Sequence, residues 1–135
     1  MNRKINNQKR FKQQLLFEGT ERGNVCFTDV DFILEIDNHS FIIGECKVKN
    51  NPLTQGQKWI IERLCDKPKW KRFVGVVVEH NVPSDKDIML TDTIVREIYK
   101  GEQIWVNVLD KKKTFKDFYD HLCKSWKIQK LNINE

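Results

Sequence analysis

The sequence lacks several features that define common classes of protein. No run of about 18 apolar residues occurs, so a membrane span is not expected. The basic N-terminus has neither the apolar stretch nor the small-residue cleavage site of a signal peptide, and we therefore expect a cytoplasmic protein. The sequence also has no internal repeat, low-complexity tract or linker rich in proline and glycine. A single domain over residues 1–135 is the prediction, because this length is near the modal domain size.

The usual ligand patterns of zinc are also missing. The four cysteines are scattered with no CxxC pair, and the three histidines form no HxH or HxxxH pair. A zinc ribbon and a histidine-based metal site are therefore not indicated. Three of the four cysteines lie within apolar patterns and are expected to be small core residues. The cysteines are Cys26, Cys46, Cys65 and Cys123.

The charge distribution is more informative than the net charge of +5. Residues 1–17 carry five basic and no acidic side chains, residues 18–37 carry six acidic and one basic, and residues 58–72 carry six basic and two acidic. Basic segments on both sides of an acidic centre suit a protein that binds a polyanion around a metal-binding pocket. Ordinary solvated faces would give the same pattern, so charge alone leaves both interpretations open.

The first half of the chain predicts a helix followed by a β-hairpin. Apolar residues from Ile5 to Leu16 fall near one helix face, and Gly19 is a plausible stop. The segments Val25–Ile36 and Phe41–Val48 are rich in Val, Ile and Phe, as strands are, and a turn-forming Asp-Asn-His-Ser sequence separates them.

A capped helix and a buried strand are predicted next. Thr54 is a suitable N-cap with Gln57 at the third helical position of a capping box, and the apolar stripe of this helix runs to about Asp66. Pro68 should end the helix. The segment Phe73–Glu79 is almost continuously apolar, which is typical of a strand covered on both faces.

The last third of the chain is less decisive. Residues 88–100 suit either a helix or a strand, and Ile104–Leu109 predicts a short strand. Thr114 should cap a final helix with Asp117 at its third position. The resulting order is roughly αβββαβ followed by a further αβα or similar extension. It predicts an α/β fold with a mixed central sheet flanked by helices and a C-terminal helix.

Two carboxylates and one ammonium group fall together in the predicted hairpin. Side chains alternate along a strand, so Glu45 and Lys47 should project from one face while Cys46 points to the other. Asp31 lies 14 positions before Glu45, on the preceding strand. An alternative is that Glu45 and Lys47 form an exposed salt bridge on an edge strand. Their apolar neighbours favour burial instead.

Binding of a metal ion would explain why two carboxylates and an ammonium group lie close together. Two adjacent carboxylates repel each other and are costly to remove from water. A divalent cation relieves both costs, and Mg²⁺ (or Mn²⁺) typically uses one or two protein carboxylates together with water and substrate phosphate. Lys47 can orient an attacking water or stabilise charge on the phosphate.

On these residues the sequence resembles the PD-(D/E)xK nuclease superfamily. The resemblance covers about residues 10–80, with Asp31 matching the motif aspartate and Glu45-Cys46-Lys47 matching ExK. The segment 52–60 also resembles the helix after this motif in the VRR-NUC and Holliday junction resolvase-like branch, where a glutamine faces the active centre. Gln57 is the better match and Gln55 the alternative. A capping role alone would also explain Gln57.

The resemblance implies a restriction-endonuclease-like αβββαβ core and a Mg²⁺- or Mn²⁺-dependent deoxyribonuclease. Asp31, Glu45 and the backbone carbonyl of Cys46 would bind the metal ion. Lys47 would assist the water, and Gln57 would position water or substrate. Members of this kind commonly serve bacteriophages, other mobile elements, or replication and repair.

The sequence departs from the family pattern before the aspartate, where the usual proline is absent. Asp29 and Asp31 compete for the motif position, and Asp31 is preferred because the apolar strand interior follows it directly. A first-helix glutamate contributes in many relatives, and Glu18 or Glu21 could supply it.

The expected partner is nucleic acid, with DNA preferred over RNA, and no membrane; a homodimer is left open. The candidate contacts to nucleic acid are Arg10, Lys12, Lys49 and Lys58. The alternative function is a catalytically inactive nucleic-acid-binding module of the same fold.

Overall fold

A computed structural model describes residues 30–38, 40–69 and 72–128. The helix predicted between Ile5 and Gly19 lies outside the described residues, as does the beginning of the strand predicted over Val25–Ile36. The described part therefore does not test the first helix of the αβββαβ order, and it tests only the end of the strand predicted over Val25–Ile36.

The described residues form a five-stranded sheet and two α-helices. The sheet order is β1-β2-β3-β4-β5, with β2 and β3 parallel and the other neighbours antiparallel, so the sheet is mixed as predicted. No α-helix in this part of the chain is long and apolar enough to cross a membrane. The elements are β1 (Phe32–Ile36), β2 (Ser40–Val48), α1 (Gln55–Asp66), β3 (Arg72–His80), β4 (Ile94–Tyr99), β5 (Trp105–Asn107) and α2 (Phe115–Ser125).

The predicted hairpin is present, formed by β1 and β2. Its ladder runs from Ile36 opposite Ser40 to Phe32 opposite Gly44. Asp37 and Asn38 have φ angles of 55° and 64° at the turn. Asp and Asn tolerate this left-handed conformation better than most residues, which explains why they stand here.

Both predicted helix caps are confirmed. The Thr54 hydroxyl accepts a hydrogen bond from the Gln57 N–H, while the Gln57 side chain accepts one from the Thr54 N–H. At the start of α2, the Thr114 hydroxyl accepts from the Asp117 N–H. The first of these helices, α1, connects the parallel strands β2 and β3, which a tight turn cannot join.

The sheet is packed between the two helices, with a hydrophobic core on each face. β3 is the most deeply buried strand because both of its faces are covered, as its apolar sequence predicted. The core on the α2 face contains Ile36, Ile42, Val74, Val76, Val78, Val95 and Phe115. The core on the α1 face contains Ile43, Ile61, Cys65 and Tyr99.

The C-terminal extension differs from the predicted αβα order. Residues 88–100 contain the strand β4 after a short 3-10 turn, and β5 and α2 follow, which gives ββα. A strand is favoured because β3 would otherwise leave one edge of backbone groups unpaired in the centre of the protein, and β4 pairs with it. The expectation for the cysteines holds fully for Cys65, which is buried, whereas Cys46 and Cys123 are half-buried.

Two glycines provide a test of the packing between α1 and the sheet. A Cβ on Gly75 would lie 2.5 Å from Ile61 Cγ2 and 3.0 Å from Tyr99 Cβ, so Gly75→Ala should destabilise the protein by about 1–3 kcal/mol. A Cβ on Gly56, in the first turn of α1, would meet nothing within 4 Å. Gly56→Ala should therefore be neutral or stabilising by up to about 1 kcal/mol. Urea unfolding measures both; equal stability of the two variants would contradict the described packing.

Candidate active site

Glu45 is the buried charge around which the candidate site is built. Glu45 is only 1% exposed, whereas Val48, three residues later at the end of β2, is 47% exposed. Ile42 belongs to the core on the α2 face and Ile43 to the core on the α1 face. Alternation along the strand therefore places Glu45 and Lys47 together on the α1 face, as the sequence predicted.

Asp31 lies next to Glu45 at the end of the hairpin. The ladder ends at the pair of Phe32 and Gly44, and Asp31 directly precedes Phe32. The Cys46 N–H donates a hydrogen bond to Asp31 Oδ2 at 2.7 Å. The Asp31 carboxylate thus accepts the bond that a backbone carbonyl would accept in a longer strand. The Asp31 carboxylate therefore lies on the backbone of Cys46, the residue that follows Glu45.

Gln57 connects this carboxylate pair to the start of α1. Its Nε2 donates to Glu45 Oε2 at 3.4 Å, while its Oε1 accepts from the Thr54 N–H at 3.1 Å. Gln57 can make both contacts at once because an amide has both an acceptor and donors. The amide orientation follows from its neighbours, since Thr54 offers a donor and Glu45 offers an acceptor. Gln55, the alternative, is exposed at the first position of α1.

The N-terminus of α1 also favours the negative charge of Glu45. Helix N-termini carry partial positive charge from unpaired N–H groups. The first turn of α1 contains no acidic residue that would offset this charge. The contact through Gln57 thus places the Glu45 carboxylate beside a favourable dipole.

Lys47 is half-buried on the same face, and β3 places a further carboxylate beside it. In the parallel ladder Lys47 is paired with Glu79, which is only 7% exposed. Arg96 of β4 forms a salt bridge with this carboxylate, with Nε 2.9 Å from Glu79 Oε1. Sequence reasoning missed both residues. Glu79 carried a signal, because a charged residue ending a strand predicted to be buried needs a partner.

The pKa of the Cys46 thiol depends on the charges of Asp31 and Glu45. Its pKa is raised above the ordinary value by burial first, and then by the nearby carboxylates of Asp31 and Glu45. Both carboxylates therefore act on one point of β2, although Cys46 itself packs toward the α2 face.

The remaining predicted residues are divided between the described part and the rest of the chain. Lys49 is exposed in the turn after β2. Lys58 is half-buried on α1, and its ammonium lies 5.8 Å from the centre of the Trp105 ring, a cation–π contact. The residues outside the described part are Arg10, Lys12, Glu18, Glu21 and Asp29.

The donor set of the site is small. Among residues 30–38, 40–69 and 72–128, no group of three or more His, Cys, Asp and Glu side chains could hold a metal ion. Asp31 and Glu45 are two carboxylates, which is the number that Mg²⁺ commonly takes from a protein.

Comparison with known proteins does not place the chain in a family. No family model, curated protein or solved structure matches it. The inference of function therefore depends on the geometry of Asp31, Glu45, Lys47 and Gln57.

The Cys46 thiol offers a direct test of the carboxylate pair. Because Asp31 raises the Cys46 pKa, Asp31→Asn should lower it, and Cys46 should alkylate faster at fixed neutral pH since the thiolate is the nucleophile. Mass spectrometry after timed iodoacetamide labelling resolves the individual cysteines. Cys65, whose pKa is raised to about 12 by burial and then by Asp66, is the internal reference. An unchanged Cys46 rate in the variant would contradict the placement of Asp31.

Proposed function

We propose that this chain is a metal-dependent nuclease that hydrolyses phosphodiester bonds in DNA and has a restriction-endonuclease-like αβββαβ core. The observation that carries the proposal is the buried Glu45 carboxylate, bonded to the Gln57 amide, with the Asp31 carboxylate on the backbone N–H of the adjacent Cys46. The described order β1-β2-α1-β3 is compatible with the ββαβ portion of such a core.

The arrangement is expensive as structure alone. A buried carboxylate loses its hydration, and a second carboxylate nearby adds repulsion. The Gln57 amide and the dipole of α1 offset part of this cost for Glu45. A divalent cation between the carboxylates would remove the repulsion, so the residues present fit a metal ion.

Three groups would hold this ion. They are the carboxylates of Asp31 and Glu45 and the backbone carbonyl of Cys46. The Cys46 N–H points to the β1 side, where it meets Asp31, and the carbonyl of a strand residue points to the same side as its N–H. When bound, Mg²⁺ supplies a lowered pKa for a coordinated water and stabilisation of charge on the phosphate oxygens.

The protein's own side chains divide the remaining work. Gln57 holds the Glu45 carboxylate in its orientation through Nε2, while Thr54 holds the Gln57 amide. Lys47 projects from the same face as Glu45 and can orient water or stabilise developing negative charge on phosphate. Lys49 is exposed just after β2 ends, and in this proposal it contacts the nucleic-acid backbone.

Substitutions at the site should separate the roles of these residues. Glu45→Gln and Asp31→Asn remove the charge of a metal ligand while nearly preserving its shape. Each should therefore reduce the rate of Mg²⁺-dependent cleavage by at least about 100-fold. Lys47→Ala should reduce cleavage by roughly 100-fold or more because water and phosphate lose a cation. Cleavage of linear, nicked, branched and single-stranded DNA measures all three variants.

Two controls accompany this cleavage experiment. Glu35→Gln changes an exposed carboxylate elsewhere on β1 and should retain wild-type activity. Asp29→Asn should retain substantial cleavage activity. If Asp29→Asn is inactive and Asp31→Asn is active, the motif aspartate is Asp29 instead of Asp31. Wild-type protein that binds DNA without cutting it, with or without chelator, would support the inactive binding module instead.

Metal binding should also be visible as a gain in stability. A cation that binds only the folded state at about 100 times its dissociation constant adds about 2.7 kcal/mol. Thermal melts with millimolar Mg²⁺ or Mn²⁺ should therefore show a higher Tm for the wild type and Lys47→Ala, and no shift for Glu45→Gln. Identical melts of the wild type with and without both cations would contradict metal binding by the free protein.

A further inference from the structure

Charged side chains form a row across the sheet at the end where β2 leaves it. On the α1 face, Glu45 and Lys47 stand on β2, and Glu79 on β3 is the register partner of Lys47. Arg96 of β4 follows next to Glu79. The signs along the row from Lys47 alternate, with an ammonium, a carboxylate and a guanidinium.

A β-bulge explains how Arg96 reaches this row. Val78 pairs with Val95 and Val77 pairs with Glu97, so Arg96 is the extra residue of β4 at the register shift. Bulges redirect the side chain of the extra residue. Arg96 is 9% exposed; its Nη2 donates to the carbonyl of Val48, the last residue of β2, and its Nη1 to the carbonyl of Asn51 in the segment that follows.

Glu79 therefore has two neighbouring cations, and Arg96 is the one that pairs with it. Arg96 Nε lies 2.9 Å from Glu79 Oε1. Within the described residues, Lys47 forms no salt bridge within 4 Å. The Arg96 guanidinium acts on Lys47 in two ways that agree in direction. It neutralises the Glu79 carboxylate, and its own charge repels the ammonium from that side.

We propose that Arg96 is a positioning residue for Lys47: by pairing with Glu79, it keeps the Lys47 ammonium available to the Glu45–Asp31 centre. This inference rests on the proposed nuclease function for its catalytic consequence. Its structural part, which cation pairs with Glu79, is independent of that function.

Without Arg96, Glu79 is left as a buried carboxylate whose nearest cation in register is Lys47. An uncompensated buried charge takes the partner within reach, so Lys47 should move from the site to Glu79. Replacing Glu79 as well removes the attraction and should release Lys47. Restoration by a second substitution distinguishes this mechanism from simple loss of the Arg96 contacts to Val48 and Asn51.

Lys47 accessibility tests the structural part. Wild type, Arg96→Met, Arg96→Lys and the double variant Arg96→Met/Glu79→Gln are acylated briefly, and mass spectrometry gives the labelling of Lys47 relative to the exposed Lys49. Arg96→Met should lower this ratio severalfold, while Arg96→Lys and the double variant should match wild type. Arg96→Gln, which can still donate to the carbonyl oxygens, replaces Arg96→Met if that variant does not fold.

Cleavage by the same variants tests the catalytic part at a temperature where circular dichroism shows each to be folded. Arg96→Met should cleave roughly tenfold more slowly or worse, and the double variant should recover most of the rate. An unchanged Lys47 labelling ratio, or a double variant that remains as slow as Arg96→Met, overturns the proposal. If the wild type does not cleave DNA, the nuclease function fails, and the labelling ratio alone decides whether Arg96 controls Lys47.

Discussion

Glu45 places a carboxylate on the α1 face of the sheet with 1% of its surface exposed, and a charge there needs partners that β2 alone cannot supply. The fold provides them from two directions. α1 begins beside the carboxylate and contributes its dipole and the Gln57 amide. From the other side, the hairpin brings Asp31 to the backbone N–H of Cys46, so a second carboxylate lies beside the residue that follows Glu45.

The same constraint explains the arrangement of charges farther along the sheet. Lys47 follows Glu45 on the same face, and Glu79 is its neighbour across the parallel ladder. Glu79 is thus a second buried carboxylate that would compete for the Lys47 ammonium. The bulge in β4 brings Arg96 to Glu79, so the charges on β3 and β4 balance each other and the charges on β1 and β2 form a separate group. This separation of the charges into two groups depends on the order in which the strands pair within the sheet.

Much of the local structure was predictable because it depends on neighbours in sequence. The hairpin, the cap at Thr54 and the buried strand β3 follow from turn residues, capping spacing and apolar runs. The common face of Glu45 and Lys47 follows from strand alternation. The conformation of residues 94–99 could not be predicted in the same way, because their apolar residues fit the spacing of a helix as well as that of a strand. Only the pairing with β3 favours the strand β4.

The sequence by itself determined which residues could lie close together in space. Asp31 and Glu45 are brought near each other by the hairpin, and Gln57 by the helix that follows it. Only the tertiary structure decided that Gln57 bonds to Thr54 and Glu45 at once, and that Glu79 pairs with Arg96 rather than Lys47. The physical reason is the range of each interaction. Caps and hairpins join residues close in sequence, whereas the pairing of a buried charge depends on which strands the fold sets side by side.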